Sequence, residues 1–266
     1  MAASEVDWLI HVGDIFWQPC SDEAYARRRA ELDLLPLAVV YTPGDNEWMD
    51  CYDPGAGSYD PLDRLAVLRR TFYPDPSRSL GRRPLALDSQ AGDSLFPDFP
   101  ENARWTRGGF VFATLHMIGS SNGREPFPGR TAAHDAALER RTDAALAWLG
   151  ETFAVATEEG ARGVVLALHG NVGLDRVEEP RLGYDRFLDG LAARVAAFPG
   201  PVLFVHGDSH RQRLDQPLHG ADGRTLENFT RLETFGSPDI GWVRVVLDTV
   251  AGRVAAVEPR RMRGWW

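Results

Sequence analysis

The sequence predicts an α/β fold, a sandwich of mixed β-sheets flanked by helices, and three features of the chain carry that expectation. Five short apolar runs rich in Val, Leu, Ile and Phe have the composition of buried strands. Helical periodicities separate most of them, and such alternation indicates parallel pairing through right-handed crossovers. After His210 the apolar segments follow one another across turn residues alone, which suits antiparallel strands and makes the sheets mixed.

Residues 8–12 form the first expected strand, inside the stretch WLIHVGDIFW. The segment SDEAYARRRAELDLL then supplies Ser21 as N-cap, Asp22 and Glu23 in an acidic first turn, and Pro36 as a stop. Residues 37–42, in LAVVYTPGDNEW, are the second strand, and PLDRLAVLRRTFY starts a helix on Pro61, a residue suited to the first helical position. Residues 75–102, rich in Pro, Asp, Gly and Ser, read as a long surface excursion. Strands at 110–118, 164–169 and 202–206 alternate with helices at 132–159 and 184–198. The first of these helices spaces Leu138, Leu146, Leu149 and Phe153 along one face. Segments 225–235, 242–248 and 253–257 complete the sheets.

With 266 residues, 44% of them hydrophobic and 25% charged, the chain can bury a full core and reads as one domain. It has no apolar run of about 18 residues. Its start, MAASEVDW, lacks the basic and apolar regions of a signal peptide, so neither a membrane span nor a targeting signal is expected. A formal net charge of −9 argues against a general nucleic-acid or membrane-surface binder, because such partners need a basic face. The basic side chains are all Arg, and the absence of Lys removes Schiff-base and P-loop lysine chemistry. Oligomeric state is not legible.

In open α/β sheets ligands bind beyond the carboxyl ends of the strands, and there the sequence repeats a theme. VGD ends the first strand at Asp14, PGDNE the second at Asp45, ALHGN a later one at His169, and VHGDSH another at Asp208 and His210. One such turn is an ordinary cap. Four of them converging would pack carboxylates against one another, a cost that a divalent cation reverses. Three carboxylates with one imidazole form a hard donor set that favours Mn²⁺, Mg²⁺ or Fe²⁺. His11 and His116, inside apolar strands, read as core histidines or as supports for such ligands, and the loop GSSNGRE offers Asn122 and Arg124 as groups able to hold phosphate oxygens, or simply as an ordinary polar loop.

GDIF at 13–16, GDNE at 44–47, HGN at 169–171 and GDSH at 207–210 together resemble the ordered signature of the calcineurin-like metallophosphoesterases. That signature runs D-x-H, G-D, G-N-H-D/E, a lone His and G-H-x-H. GDNEWMDC is similar to a bacterial subgroup with a GDNEW block. The resemblance implies a metallophosphoesterase-like sandwich over residues 1–266, N-terminally incomplete because no D-x-H strand is found. It also implies a metal-dependent phosphoesterase that hydrolyses small phosphomonoesters or phosphodiesters through a metal-activated water. Three departures qualify the activity. D-x-H is missing, Asn46 stands where the family has the His that protonates the leaving group, and Asp45 and Asp208 replace a ligand Asn and a ligand His. By that mapping one metal site keeps a donor at every position, Asp14, Asp45, His169 and Asp208, whereas a second keeps only Asp14 and His210. Asn46 and His210 occupy the candidate catalytic positions. The competing reading is a catalytically inactive binding domain of the same fold.

Cys20 and Cys51 follow the first two Gly-Asp turns by similar short distances. If the first two strands are parallel neighbours, the loops beyond them emerge side by side and the sulfurs can meet. A disulfide would imply an oxidising compartment and an exported protein; the alternative is a pair of reduced thiols in the cytosol.

Overall fold

Local signals set the element boundaries of the computed structural model, which describes residues 6–175 and 183–262. Strand β1 (Trp8–His11) leads to α1 (Asp22–Asp33), where the Ser21 hydroxyl accepts the Ala24 N–H at 3.2 Å. Strand β2 (Ala38–Tyr41) is followed by α2 (Pro61–Phe72), capped by Asp60, which accepts the Leu62 N–H at 2.8 Å. A short edge strand β3 (Asp88–Ser89) precedes β4 (Ala103–Arg107) and β5 (Phe110–Thr114). The long helix α3 (Ala132–Glu158), β6 (Gly163–Ala167), α4 (Asp185–Ala197) and β7 (Val202–His206) then alternate as expected. Strands β8 (Arg213–Asp215), β9 (Phe229–Glu233), β10 (Gly241–Asp248) and β11 (Arg253–Arg261) follow.

Seven strands form one mixed sheet in the order β3-β4-β5-β6-β7-β9-β8. Its centre, β5 to β9, is parallel, and its edges are antiparallel. The expected parallel pairing of the first two strands holds, Trp8 opposite Ala38 through His11 opposite Tyr41, but β1 and β2 form a separate two-stranded sheet. Strands β10 and β11 form an antiparallel hairpin. Three apolar clusters show the layering. Helices α3 and α4 pack on one face of the large sheet through residues such as Leu149, Phe153 and Leu188. On its other face, Phe112, Val165 and Leu203 meet Ile10 of β1 and Val245 of β10. Helices α1 and α2 close the outside through Tyr25, Leu65 and Phe72 against β2. No helix among the described residues is long and apolar enough to cross a membrane.

The segment 75–102 runs mostly over the surface as expected, but it turns inward at a few positions. Gln90, Phe99, Glu101 and Asn102 are buried. The three polar ones have partners: the Asn102 amide donates to Gln90 at 2.6 Å, and Glu101 pairs with Arg69 at 2.6 Å and with His116 at 2.7 Å. Burial holds His116 down at about 4, while against the upward push of burial Arg69 and His116 hold Glu101 down at about 2. Both shifts point the same way. As pH falls from about 6.5 the unfolded imidazole takes a proton that folded His116 refuses, and below about 4.5 the unfolded carboxyl does the same relative to Glu101. Stability is therefore expected to drop by roughly 3 kcal/mol between pH 7 and pH 4 from His116 alone. Denaturant midpoints across that range check it, and His116→Gln should flatten the upper part of the curve.

Cys20 and Cys51, both fully buried, form a disulfide with Cα atoms 5.8 Å apart, and no described cysteine is free. The bond joins positions 31 residues apart, so it removes chain entropy worth roughly 3–4 kcal/mol from the unfolded state. Cys51→Ser is expected to lower unfolding stability by about that amount, measured against the oxidised protein without reductant.

Candidate metal centre

The strands β1, β2, β6 and β7 bring their carboxyl ends to one rim, and the residue type just beyond each end decides what the rim can do. Gly13 and Gly44 let the first two turns touch. A Cβ on Gly44 would stand 2.2 Å from Asp14 Oδ1, and one on Gly119 would stand 2.4 Å from Asp45 Oδ2 and 2.7 Å from Asp208 Oδ1. Only residues without side chains allow that approach. Asp14, Asp208 and His210 adopt φ of +55°, +72° and +60°, and Ser120 to Asn122 make a left-handed turn beside them. Each such non-glycine conformation costs on the order of 1 kcal/mol and clusters at functional sites. Among the described residues, six of the seven non-glycine positions with positive φ lie in these rim loops.

His169 is the centre of the group. Its Nδ1 lies 2.7 Å from the carbonyl of Val12, which can only accept, so Nδ1 carries the hydrogen. That leaves Nε2 facing carboxylates, 3.1 Å from Asp45, 3.4 Å from Asp14 and 3.9 Å from Asp208. Asp45 is steadied by the Ser120 hydroxyl at 2.7 Å, Asp208 by the Asn171 N–H at 2.8 Å, and Asp14 by the Asn46 N–H at 3.4 Å. Burial raises Asp14 to about 8 despite the charge of His169, with Glu47 and Asp45 adding to the rise. Asp208 is raised as well, chiefly by burial. For Asp45 the push of burial is overcome by the hydrogen bonds and charge of His169 and by Ser120, so its carboxyl lies below the usual range. His169, though buried, is driven well above its ordinary value by Asp14, Asp45 and Asp208. Protons here hold apart groups that an ion would hold together.

Asp14, Asp45 and His169 each offer a ligand atom within 4.8 Å of the others, so this half-buried to buried group could hold a metal ion. Oxygen-rich with one imidazole, it suits a hard divalent cation. Asp208 stands at its edge through His169. His210 is exposed, with its ring against Gly236, and makes no hydrogen bond or ion pair to the other four. Asn46 contributes its backbone N–H, and its side chain makes no hydrogen bond to a described residue.

The loop residues expected to hold phosphate are employed otherwise. Asn122 is fully buried, donating to Thr142 at 3.1 Å and to the Gly183 carbonyl at 3.0 Å while accepting from Arg141 at 2.7 Å. Arg124 pairs with Glu139 on the surface of α3. The left-handed turn wraps the amide inward, so its donors are consumed by the fold. Sequence reasoning missed three other residues at the rim. Glu47, fully buried, accepts the N–H of Ile15 at 2.6 Å and of Gly44 at 2.9 Å, stapling the two Gly-Asp turns together. Its signal was its place in GDNE. Ser120 bridges Asp45 to Asp50, whose carboxyl burial and the charge of Asp45 raise to about 7.

No protein-family model matches the chain, and no curated protein matches it either. Fold and site define a class no narrower than an α/β protein with a candidate metal centre at a strand-end rim.

Proposed function

We propose that this chain is a metal-dependent phosphoesterase of the calcineurin-like metallophosphoesterase type, acting on small phosphomonoesters or phosphodiesters. The observation that carries the reading is His169, its tautomer fixed by the Val12 carbonyl and its Nε2 aimed at three carboxylates from three other strand ends. A divalent ion, Mn²⁺, Mg²⁺ or Fe²⁺, supplies a Lewis acid for a phosphoryl oxygen and lowers the pKa of a bound water. The protein's own part is to hold that donor set fixed. Glu47 locks the turns bearing Asp14 and Asp45, and the Ser120 hydroxyl and Asn171 N–H orient Asp45 and Asp208. Asn46 cannot donate a proton to a leaving group, which favours slow turnover or the inactive binding domain. Asp50, a carboxyl protonated up to about pH 7 and one hydroxyl away from Asp45, favours the hydrolase.

The deciding experiment is hydrolysis of p-nitrophenyl phosphate and bis(p-nitrophenyl) phosphate with Mn²⁺, beside a chelated control. Chelator-sensitive hydrolysis well below a typical turnover of about 10 s⁻¹ is expected. Ion binding without hydrolysis selects the inactive domain. Failure to bind any divalent ion removes both readings.

A further inference from the structure

Between β1 and β10 runs a cleft of about 570 Å³ whose two walls are strand edges and whose floor is the large sheet. Among the described residues, strand β1 pairs with β2 on one side only, and β10 with β11 on one side only. Their other edges face the cleft, leaving rows of backbone N–H and C=O groups without sheet partners over apolar Phe112, Val165 and Leu203. Unpaired edges above an apolar floor are costly, and proteins cover them. The walls carry the same sign of incompleteness. Every residue of β1 and β10 is only half-buried, including Ile10, Val243 and Val245, whereas β2, β5, β6 and β7 are buried throughout. His11, on the cleft wall, has a buried Nδ1 without a hydrogen-bond partner.

We propose that this cleft is an acceptor site for one extended polypeptide strand with apolar side chains at alternate positions. Only a backbone supplies donors and acceptors at the strand repeat to both walls at once, which an apolar small molecule cannot do. The walls run in opposite senses: β1 rises to the rim at Gly13, while β10 leaves Phe235 at the rim and ends with Thr249 against Gly108 at the far end. An inserted strand is thus parallel to one wall and antiparallel to the other. It joins β1–β2 and β10–β11 into one five-stranded sheet packed on the seven-stranded one. This inference does not depend on the phosphoesterase reading.

The test is a donor-strand fusion: eight residues of alternating Thr and Val joined ahead of Met1 through a Gly/Ser linker, which keeps the strand at millimolar effective concentration. A control fusion carries Pro at the Thr positions, which removes every N–H donor facing one of the two walls. Backbone hydrogen exchange at β1 and β10, measured in chelator, is read in the 266-residue chain and in both fusions. Exchange at least tenfold slower in the Thr/Val fusion than in the other two is expected. Equal exchange in all three, protection by the Pro control, or slow exchange in the unfused chain overturns the proposal.

Discussion

Replacing His169 by Ala is expected to abolish divalent-ion binding, with affinity falling at least about 100-fold, and Asp45→Ala is expected to do the same. Both side chains are buried in the rim, and His169 approaches Asp14, Asp45 and Asp208 alike. His210→Ala should weaken binding far less, since that ring is exposed and unbonded to the cluster. Calorimetric titration with Mn²⁺ reads all three variants. Two equivalent ions in the parent chain, or an unchanged affinity in His169→Ala, would contradict the assignment of the site. The ion-free fold of His169→Ala should survive, because carboxylates that lose the imidazolium can take up protons instead, as burial already inclines Asp14 and Asp208 to do; far-UV circular dichroism separates lost ligation from lost structure.

Gly119→Ala should also weaken ion binding, though less, from a residue with no ligand atom. Its Cβ would meet Asp45 Oδ2 at 2.4 Å and Asp208 Oδ1 at 2.7 Å, both far ends of side chains, so the backbone can stay while the carboxylates are driven apart. Ion affinity is expected to fall by about 10–100-fold, the usual cost of disturbing groups that orient ligands, with the unfolding midpoint shifting little. Gly13→Ala makes the contrast. That Cβ would meet the Gly44 backbone N at 2.4 Å at a φ of +90°, where nothing yields cheaply, and global stability should drop by several kcal/mol. A Gly119→Ala protein that binds Mn²⁺ as tightly as the parent would show that the close approach is packing without consequence for the ion.

Asp14, Asp45, His169 and Asp208 were legible because a buried strand announces its own end and the residues just past it are few. The strand alternation was legible for the same reason. Pairing between distant strands was not. Nothing local says that β1 and β2 leave the main sheet, since register across 100 residues is a property of the whole packing. Strands β4, ARWTR, and β8, RLD, escaped notice because their Arg side chains break the apolar pattern while pairing with acids, Arg104 with Asp88 and Arg213 with Asp175. The Pro, Asp, Gly and Ser content of 75–102 reads as surface throughout, yet Gln90, Glu101 and Asn102 are buried because they bond within the segment and to Arg69, His116 and Ala144, pairings that composition does not show. Asn122 shows the converse error, a polar loop residue whose donors the fold had already used.

The raised carboxyl of Asp14 and the raised imidazole of His169 turn the rim into an exchanger. Near neutral pH the ion-free centre is loaded with hydrogen ions, and a metal cation enters only by displacing them. Apparent affinity then climbs steeply with alkalinity, by about a factor of ten per pH unit for each proton expelled. The same cation would be held in a mildly alkaline surrounding and surrendered in an acidic one, so the acidity of the compartment, as much as the supply of metal, would decide how much of the protein carries its ion.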